Sequence, residues 1–357
     1  MATHARFSLP TTHQHPLLAG AAIGALAAGF IGWSAGDTDI HSVPALATTN
    51  PPASALALEN AFVQALQRAQ PSVVEISTSS GLGSGVIYDG RGDVVTNAHV
   101  VAGAQAFTVL RTDGTKTTAR LIGQYVPDDL AVLRMANTAG IRPASFADSS
   151  TLRPGDLVLA IGSPLGLSGS ATDGIVSSTG RTVAESTGVA LTDLIQTSAA
   201  INPGNSGGAL VNLSGAVVGI PTLAATNQSS GTEAAGLGFA IPSRTVTMIA
   251  PQLIAKGKVT TAGRAALGIS GQSVSISTSG AGGVYVSAVT PNGPAAHAGV
   301  QPGDVITALD GTPVNSFVDL VIALAKLHPG ENVHLSYLRG GTTKVTTSVV
   351  LGDLARN

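Results

Sequence analysis

The chain predicts a mainly β protein, with antiparallel β-barrels at its centre, an apolar helix in front of them and a smaller unit behind. Three observations carry this reading. About a dozen short runs rich in Val, Ile, Leu and Thr follow one another between residues 73 and 241, separated by turn residues and without helices between them. That is the pattern of barrel strands rather than of an alternating α/β sheet. Glycine supplies 44 of 357 residues and aromatic side chains only 3%, a composition of turns and small-residue packing. The third observation is a change of pattern after Gly263, and the length allows two or three domains. The net charge is −2 with no basic stripe, so nucleic acid is not an expected partner. Cysteine is absent, which removes disulfides and thiolate metal sites. No metal or cofactor is expected, and His4, His13 and His15 in the N-terminal tail read as solvated.

Residues 16–36 carry no charge. Twenty residues at about 1.5 Å rise span about 30 Å, the thickness of a hydrocarbon core. Residues 17–36 are therefore read as a transmembrane anchor, with residues 1–16 as a cytoplasmic tail. Arg6 before the run, Asp37 and Asp39 after it, and Trp33 at its end agree with that orientation. The competing reading is a cleaved leader, with Ala45-Leu46-Ala47 as the small-residue cleavage site. Either way the bulk of the chain is exported. Residues 37–58, polar and then rich in Pro and Ala, read as a flexible linker.

The central domain, residues 59–258, begins with a short helix over 60–69, where Phe62, Val63 and Leu66 share a face and Pro71 stops it. Strands are expected at 73–76, 85–88 and 94–96, the last two joined by the turn Asp89-Gly90-Arg91-Gly92. Others follow at 107–110, 118–122, 131–135, 157–161, 174–178, 194–197, 209–211, 217–220 and 238–241. A helix from Ser243 to about residue 255 closes the domain.

Between Ala61 and Lys258 the only histidine is His99. Asp129 follows it, and then Ser206 within Asn202-Pro203-Gly204-Asn205-Ser206-Gly207-Gly208. These are the parts of an acyl-transfer site gathered from distant segments. A serine alcohol is a poor nucleophile until an imidazole takes its proton, and a carboxylate must hold that imidazole in one tautomer. The oxyanion then needs backbone N–H donors, which Gly204, Asn205 and Ser206 can offer because Gly204 permits the twist. Each part alone has a bland reading, as a turn, a structural histidine or a capping aspartate. Their combination at strand–loop junctions of one β domain is far more specific.

Seven blocks carry a family resemblance: Gly83-Ser84-Gly85-Val86-Ile87, Thr96-Asn97-Ala98-His99-Val100-Val101, Asp129-Leu130-Ala131-Val132-Leu133, Gly162-Ser163-Pro164-Leu165-Gly166-Leu167, Gly174-Ile175-Val176-Ser177, the Asn202–Gly208 segment and Gly238-Phe239-Ala240-Ile241-Pro242-Ser243. In this order they resemble the HtrA/Deg serine proteases. The resemblance implies a chymotrypsin-like pair of β-barrels, with His99 as base, Asp129 as its orienter and Ser206 as nucleophile. Asp128 is the near miss. It also implies an oxyanion hole at Gly204 and Ser206, and a specificity pocket from Ile201, Leu237 and Ala225 suited to small or medium aliphatic residues. Three departures stand out. Ser198 replaces the family's aspartate, and Pro221 interrupts the Gly-Ile-Asn-Thr strand, removing an N–H near the place of substrate pairing. A short 77–82 connection takes the place of the long loop of some relatives.

Residues 264–353 resemble a PDZ domain, a small α+β fold. They carry Ala266-Leu267-Gly268-Ile269, Gly283-Val284-Tyr285-Val286, Gly303-Asp304-Val305-Ile306, a helix over 316–327 and strands over 333–338 and 344–350. The resemblance implies that a peptide C-terminus adds to the strand after Leu267, its carboxylate held by N–H groups of Leu267, Gly268 and Ile269. His297, His328 and His334 read as surface or packing residues. The combined expectation is an ATP-independent, membrane-tethered serine endopeptidase acting on unfolded or damaged envelope proteins, with its folded domains on the extracytoplasmic side and a trimer possible by analogy. Two alternatives stay open, a chaperone-like PDZ sensor with weak proteolysis, motivated by Pro221 and Ser198, and a site-specific regulatory protease.

Overall fold

A computed structural model describes residues 52–356 apart from residues 80, 164–168, 185–189, 203, 227–232 and 277–281. The tail, the anchor and most of the linker expected before residue 52 lie outside the described residues. Among those described, no helix is long and apolar enough to cross a membrane. The first helix, α1 (Ala53–Ala69), begins earlier than the pattern predicted, so residues 53–58 are helix rather than spacer. Pro52 stands at its N-cap, and the Ala and Leu residues that follow are strong helix formers. The same Ala-rich composition, next to prolines, also suits a linker, which is why the sequence pattern alone places the helix later.

Two six-stranded antiparallel barrels follow. The first holds β1 (Val73–Ser77), β2 (Leu82–Ile87), β3 (Asp93–Thr96), β4 (Phe107–Arg111), β5 (Lys116–Tyr125) and β6 (Leu130–Met135), closed in the order β1-β2-β3-β6-β5-β4. The second holds β7 (Leu157–Gly162), β8 (Ser170–Ala184), β9 (Ala190–Thr197), β10 (Ala209–Asn212), β11 (Val217–Thr226) and β12 (Glu233–Pro242), closed as β10-β11-β12-β9-β8-β7. A one-turn helix, α2 (Ala98–Val101), leaves β3, and α3 (Ser243–Lys256) closes the domain.

Several strands read as continuous apolar runs because both of their faces are buried. In β1, Val74 and Ile76 fill the first barrel with Ile87, Val94 and Leu133. Val73, with Val86, Val95 and Val132, points instead into a second core shared with the other barrel. That shared core also takes Leu159, Ile161, Val211, Ile220 and Ile241 from barrel two, and Val246, Ile249 and Leu253 from α3. Strand side chains alternate faces, and here each face meets a different core. Between β3 and β6 the cross-strand pair Asp93–Arg134 makes two parallel 2.8 Å hydrogen bonds with the aspartate fully buried.

The C-terminal unit comprises β13 (Ala265–Ala266), β14 (Ile269–Ser275), β15 (Gly282–Val289), α4 (Pro294–His297), β16 (Val305–Leu309), β17 (Thr312–Pro313), α5 (Phe317–Leu324), β18 (Asn332–Arg339), β19 (Thr343–Val350) and β20 (Gly352–Asp353). Its main sheet runs β14-β15-β16-β18-β19, which leaves β14 at an edge. Ser316 caps α5 by accepting from the Asp319 N–H. The helix ends at Leu324, short of the predicted residue 327, and the chain continues in tighter turns. Leu320 of α5 packs with Val284, Ile306, Leu335 and Tyr337 in a separate core.

The two ends of this unit meet. β13 pairs with β20, the Asp353 carboxylate accepts the Ala262 and Gly263 N–H groups at 2.9 Å, and the Leu354 N–H reaches the Arg264 carbonyl at 2.8 Å. Arg264 also extends to the protease domain, donating to the Pro127 carbonyl at 2.9 Å and to the Asp128 carboxylate.

Candidate active site

Where β3 ends, the chain turns into α2 and presents His99. Asp129 sits just before β6 with φ of 49°, a left-handed conformation that Asp and Asn tolerate better than most residues. Its main chain ties the two segments together: the Asp129 carbonyl accepts the Ala98 N–H at 3.1 Å and Asn97 Nδ2 at 3.0 Å. The carboxylate engages the histidine twice. Oδ1 accepts the His99 backbone N–H at 3.0 Å, and Oδ2 lies 2.8 Å from His99 Nδ1. A third donor, Thr222 Oγ1 on β11, reaches Oδ2 at 2.5 Å. The carboxylate is an acceptor only, so Nδ1 carries the proton facing it and Nε2 is left as the basic nitrogen. The Asp129 side chain is 7% exposed while that of His99 is 46% exposed, so the imidazole is open to solvent and the carboxylate beside it is enclosed.

Asp128, next in the chain, points the other way. It is buried against Arg264 at the interdomain junction. Burial pushes its carboxyl above the ordinary range despite Arg264. The adjacent Tyr125 phenol is raised too, first by burial and then by the Asp128 charge.

Ser206 lies on a tight turn between Gly204 and Gly207, whose φ values of 100° and 82° belong to glycine. A Cβ on Gly207 would stand 2.2 Å from the Ser84 carbonyl oxygen and 2.3 Å from Thr96 Oγ1. The turn is stitched on every side. Asn205 N–H donates to the Asn202 carbonyl, Gly207 N–H to Pro221 and Gly208 N–H to Asn205, each at 2.9 Å, and Ser84 N–H reaches the Ser206 carbonyl at 2.8 Å. Ser206 Oγ donates to the Thr222 carbonyl at 3.2 Å. Thr222 thereby links two of the three candidate residues directly, through its carbonyl to Ser206 and its hydroxyl to Asp129, and reaches His99 through Asp129.

One expected oxyanion donor is corrected. The Asn205 N–H is spent within the turn on Asn202, and its side chain, 2% exposed, donates to the Ala200 carbonyl. Among the described residues, no hydrogen bond uses the Gly204 or Ser206 N–H.

Of the specificity residues, Ile201 is buried and packs over Gly238 on β12, where a Cβ would lie 2.5 Å from Ile201 Cγ1. Leu237 beside it is exposed. Ala225 lies on β11, and its side chain falls outside the described residues. Ser198 Oγ accepts the Ile175 N–H at 3.0 Å, so this serine still fastens its loop to β8. Pro221 turns its carbonyl to Gly207, and a strand residue directs N–H and C=O to the same side. Its missing N–H therefore faces the Gly204–Gly207 turn rather than the β12 ladder.

Sequence reasoning passed over Thr222, Ser84 and Gly238 as site residues. Thr222 and Ser84 each stood inside a motif already quoted, without a chemistry of its own to mark it.

On the C-terminal unit, Leu267, Gly268 and Ile269 precede and open the edge strand β14. The Gly268 and Leu267 carbonyls are turned inward, accepting the Thr290 and Ala295 N–H groups at 2.9 and 2.8 Å. The three residues line a cleft of about 750 Å³ with Leu320 and Leu324 of α5 on one side and Asp128 and Arg244 of the protease domain on the other. Among the described residues no cluster of His, Cys, Asp and Glu could hold a metal.

Comparison with known proteins agrees with this arrangement. Residues 83–220 match the family described as "Trypsin-like peptidase domain", and residues 265–350 match "PDZ domain". The chain is 42% identical over 268 residues to the periplasmic pH-dependent serine endoprotease DegQ of Escherichia coli, covering 73% of this chain and 57% of that protein. It is 38% identical over 294 residues to the serine endoprotease DegS of Salmonella typhimurium, covering 77% and 81%. The chain thus spans little more than half the length of several curated relatives, DegQ and DegP among them. Among solved structures, the HtrA-type protease AlgW with decapeptide aligns at TM-score 0.58 and 32% identity, covering 82% of this chain and 98% of that one. The serine endoprotease from Yersinia pestis aligns at 0.56 and 34%, with the same coverage. A doubly barrelled peptidase domain and a following PDZ domain, matched along most of the chain by relatives of this similarity, place it in the HtrA/Deg family of serine proteases.

Proposed function

We propose that this chain is an ATP-independent serine endopeptidase in which His99, Asp129 and Ser206 act as one unit. The observation that carries the reading is the Asp129 carboxylate, which grips both the His99 main chain and Nδ1 and leaves Nε2 as the acceptor. In the reaction Ser206 Oγ attacks the scissile carbonyl while its proton passes to His99 Nε2. Asp129 stabilises the imidazolium, and the negative oxygen is met by the Gly204 and Ser206 N–H groups. The imidazolium then gives its proton to the leaving amine as the peptide C–N bond breaks. Water then attacks the acyl carbon as its proton passes to His99, and the acyl–Oγ bond breaks as the imidazolium returns that proton to Ser206 Oγ, releasing the acid product. Ile201, with Leu237 and Ala225, supports preference for a small or medium aliphatic residue before the cut. No charge in that group would suit Lys or Arg.

The substrates we infer are unfolded or damaged proteins of the cell envelope, with the folded domains extracytoplasmic, residues 17–36 as anchor and a trimer as the assembly, as in the family reading. The edge strand β14 and the Leu267–Ile269 turn support capture of peptide C-termini. The decisive experiment labels the full chain with a fluorophosphonate and follows cleavage of an unfolded casein-like substrate. Labelling at Ser206 and cleavage are expected, both lost in Ser206→Ala. Cleavage that survives Ser206→Ala, or a wild type that neither labels nor cleaves, refutes the reading.

A further inference from the structure

Ser84 belongs to barrel one, yet nearly all of its polar contacts leave that barrel. It is fully buried on β2. Its N–H donates to the Ser206 carbonyl at 2.8 Å, and its hydroxyl donates to the Gly204 carbonyl at 2.6 Å while accepting the Ser163 N–H at 2.9 Å. Its carbonyl accepts Thr96 Oγ1 at 2.6 Å, three residues before His99. One side chain therefore bolts the nucleophile turn and the end of β7 to the barrel that bears the histidine.

We propose that Ser84 is a positioning residue for the oxyanion hole. The inference rests on the reading of Gly204 and Ser206 N–H as the oxyanion donors. Between those two donors lies a single peptide unit, 204–205. Gly204, at φ of 100°, has no Cβ to restrain that unit, so its plane must be set from outside. Two hydrogen bonds do so, one at each end: the Asn205 N–H is held by Asn202, and the Gly204 carbonyl by the Ser84 hydroxyl. Removing the hydroxyl frees one end of the plane. It also leaves the Ser163 N–H, on a residue 2% exposed, without its acceptor. The cost therefore falls on the aim of the donors, which matters most when the carbonyl oxygen carries charge.

The test compares wild type, Ser84→Ala and Ser84→Cys in the full chain. Peptide hydrolysis gives kcat and KM. A peptide boronate, which forms a tetrahedral anion on the serine, reports the hole, and a cleaved product peptide reports ordinary binding. Loss of one whole oxyanion donor costs about 10²–10³ in kcat, so a misaimed pair in Ser84→Ala should cost about ten- to a hundredfold. Boronate affinity should fall by a like factor, with KM and product affinity within about threefold, and Ser84→Cys, a weaker donor of similar size, should lie between. Ser84→Ala that keeps kcat and boronate affinity within about twofold overturns the inference. So does an equal loss of boronate and product affinity. If Ser84→Ala does not fold, a folded Ser84→Cys indistinguishable from wild type overturns it too. A wild type that fails to label at Ser206 removes the catalytic reading beneath; a wild type that labels beside an unaffected Ser84→Ala removes this inference alone.

Discussion

Replacing Asp129 by Asn keeps the shape of the site and inverts one hydrogen bond. Asn tolerates the left-handed backbone at this position, so the turn before β6 should survive. The amide has two possible orientations. With its oxygen on the His99 backbone N–H, now at 3.0 Å, the NH₂ faces both His99 Nδ1 and Thr222 Oγ1. Nδ1 must then accept, the proton moves to Nε2, and the base toward Ser206 is gone. With the amide turned over, NH₂ meets the His99 N–H, donor against donor in an enclosed position. The first orientation is the less costly, and it is the inactive one. In serine peptidases of this kind the equivalent change costs about 10⁴ in kcat near neutral pH, close to 5.5 kcal/mol at 1.36 kcal/mol per factor of ten. Steady-state hydrolysis of a chromogenic peptide ending in Val should show that loss with KM little altered, and a thermal melt should move by only a few degrees. A loss smaller than about tenfold in a folded variant would refute the assignment of Asp129 as the group that sets the tautomer.

Other consequences follow from the same geometry. Gly207→Ala places a methyl against the Ser84 carbonyl and Thr96 hydroxyl and takes on a left-handed strain of about 1–2 kcal/mol; melting temperature should drop and hydrolysis fall by more than about a hundredfold. Ile201→Ala opens space over Gly238, so the ratio of kcat/KM for Leu over Val before the cut should rise by about tenfold in a matched peptide pair. Arg264→Ala leaves the buried Asp128 without its cation and should cost about 3 kcal/mol in urea unfolding. Asp128 also makes stability depend on pH. Burial raises its folded pKa above the unfolded value, so the folded state holds that proton more tightly. Its contribution is full below the unfolded carboxylate range, about pH 4, and is lost as pH rises through the folded value. Melts of wild type and Asp128→Asn across that range should diverge, with the wild type losing stability relative to the variant as pH rises.

The barrels were legible because turn chemistry punctuates them. Asp89-Gly90-Arg91-Gly92 announced the β2–β3 connection, and the helix from Ser243 ends near its predicted place even with Pro251 inside it. Strand ends were less legible: β8 runs longer than its apolar run because polar residues continue the ladder, and β11 runs on through Pro221 and Thr222 to Thr226. The start of α1 at Ala53 is not legible in the sequence because alanine serves both spacers and helices. Within the site, residues with a nameable chemistry stood out: one histidine, a carboxylate and a glycine-flanked serine. Thr222 and Ser84 did not, because a hydroxyl acquires its role from the segment opposite, and that segment is far away in sequence. Asn205 misled for the converse reason. Its place in the motif implied a free N–H, while the turn itself consumes it.

The apolar interior common to the two barrels has a thermodynamic consequence. Val73, Val95 and Val132 on one side and Leu159, Ile161 and Val211 on the other bury against each other and against α3, so neither barrel can melt and leave its neighbour's surface covered. Heat or denaturant should therefore take both halves in a single cooperative step. A cavity cut into the outer half, remote from the histidine, would then shorten the lifetime of the whole catalytic assembly rather than of one wall.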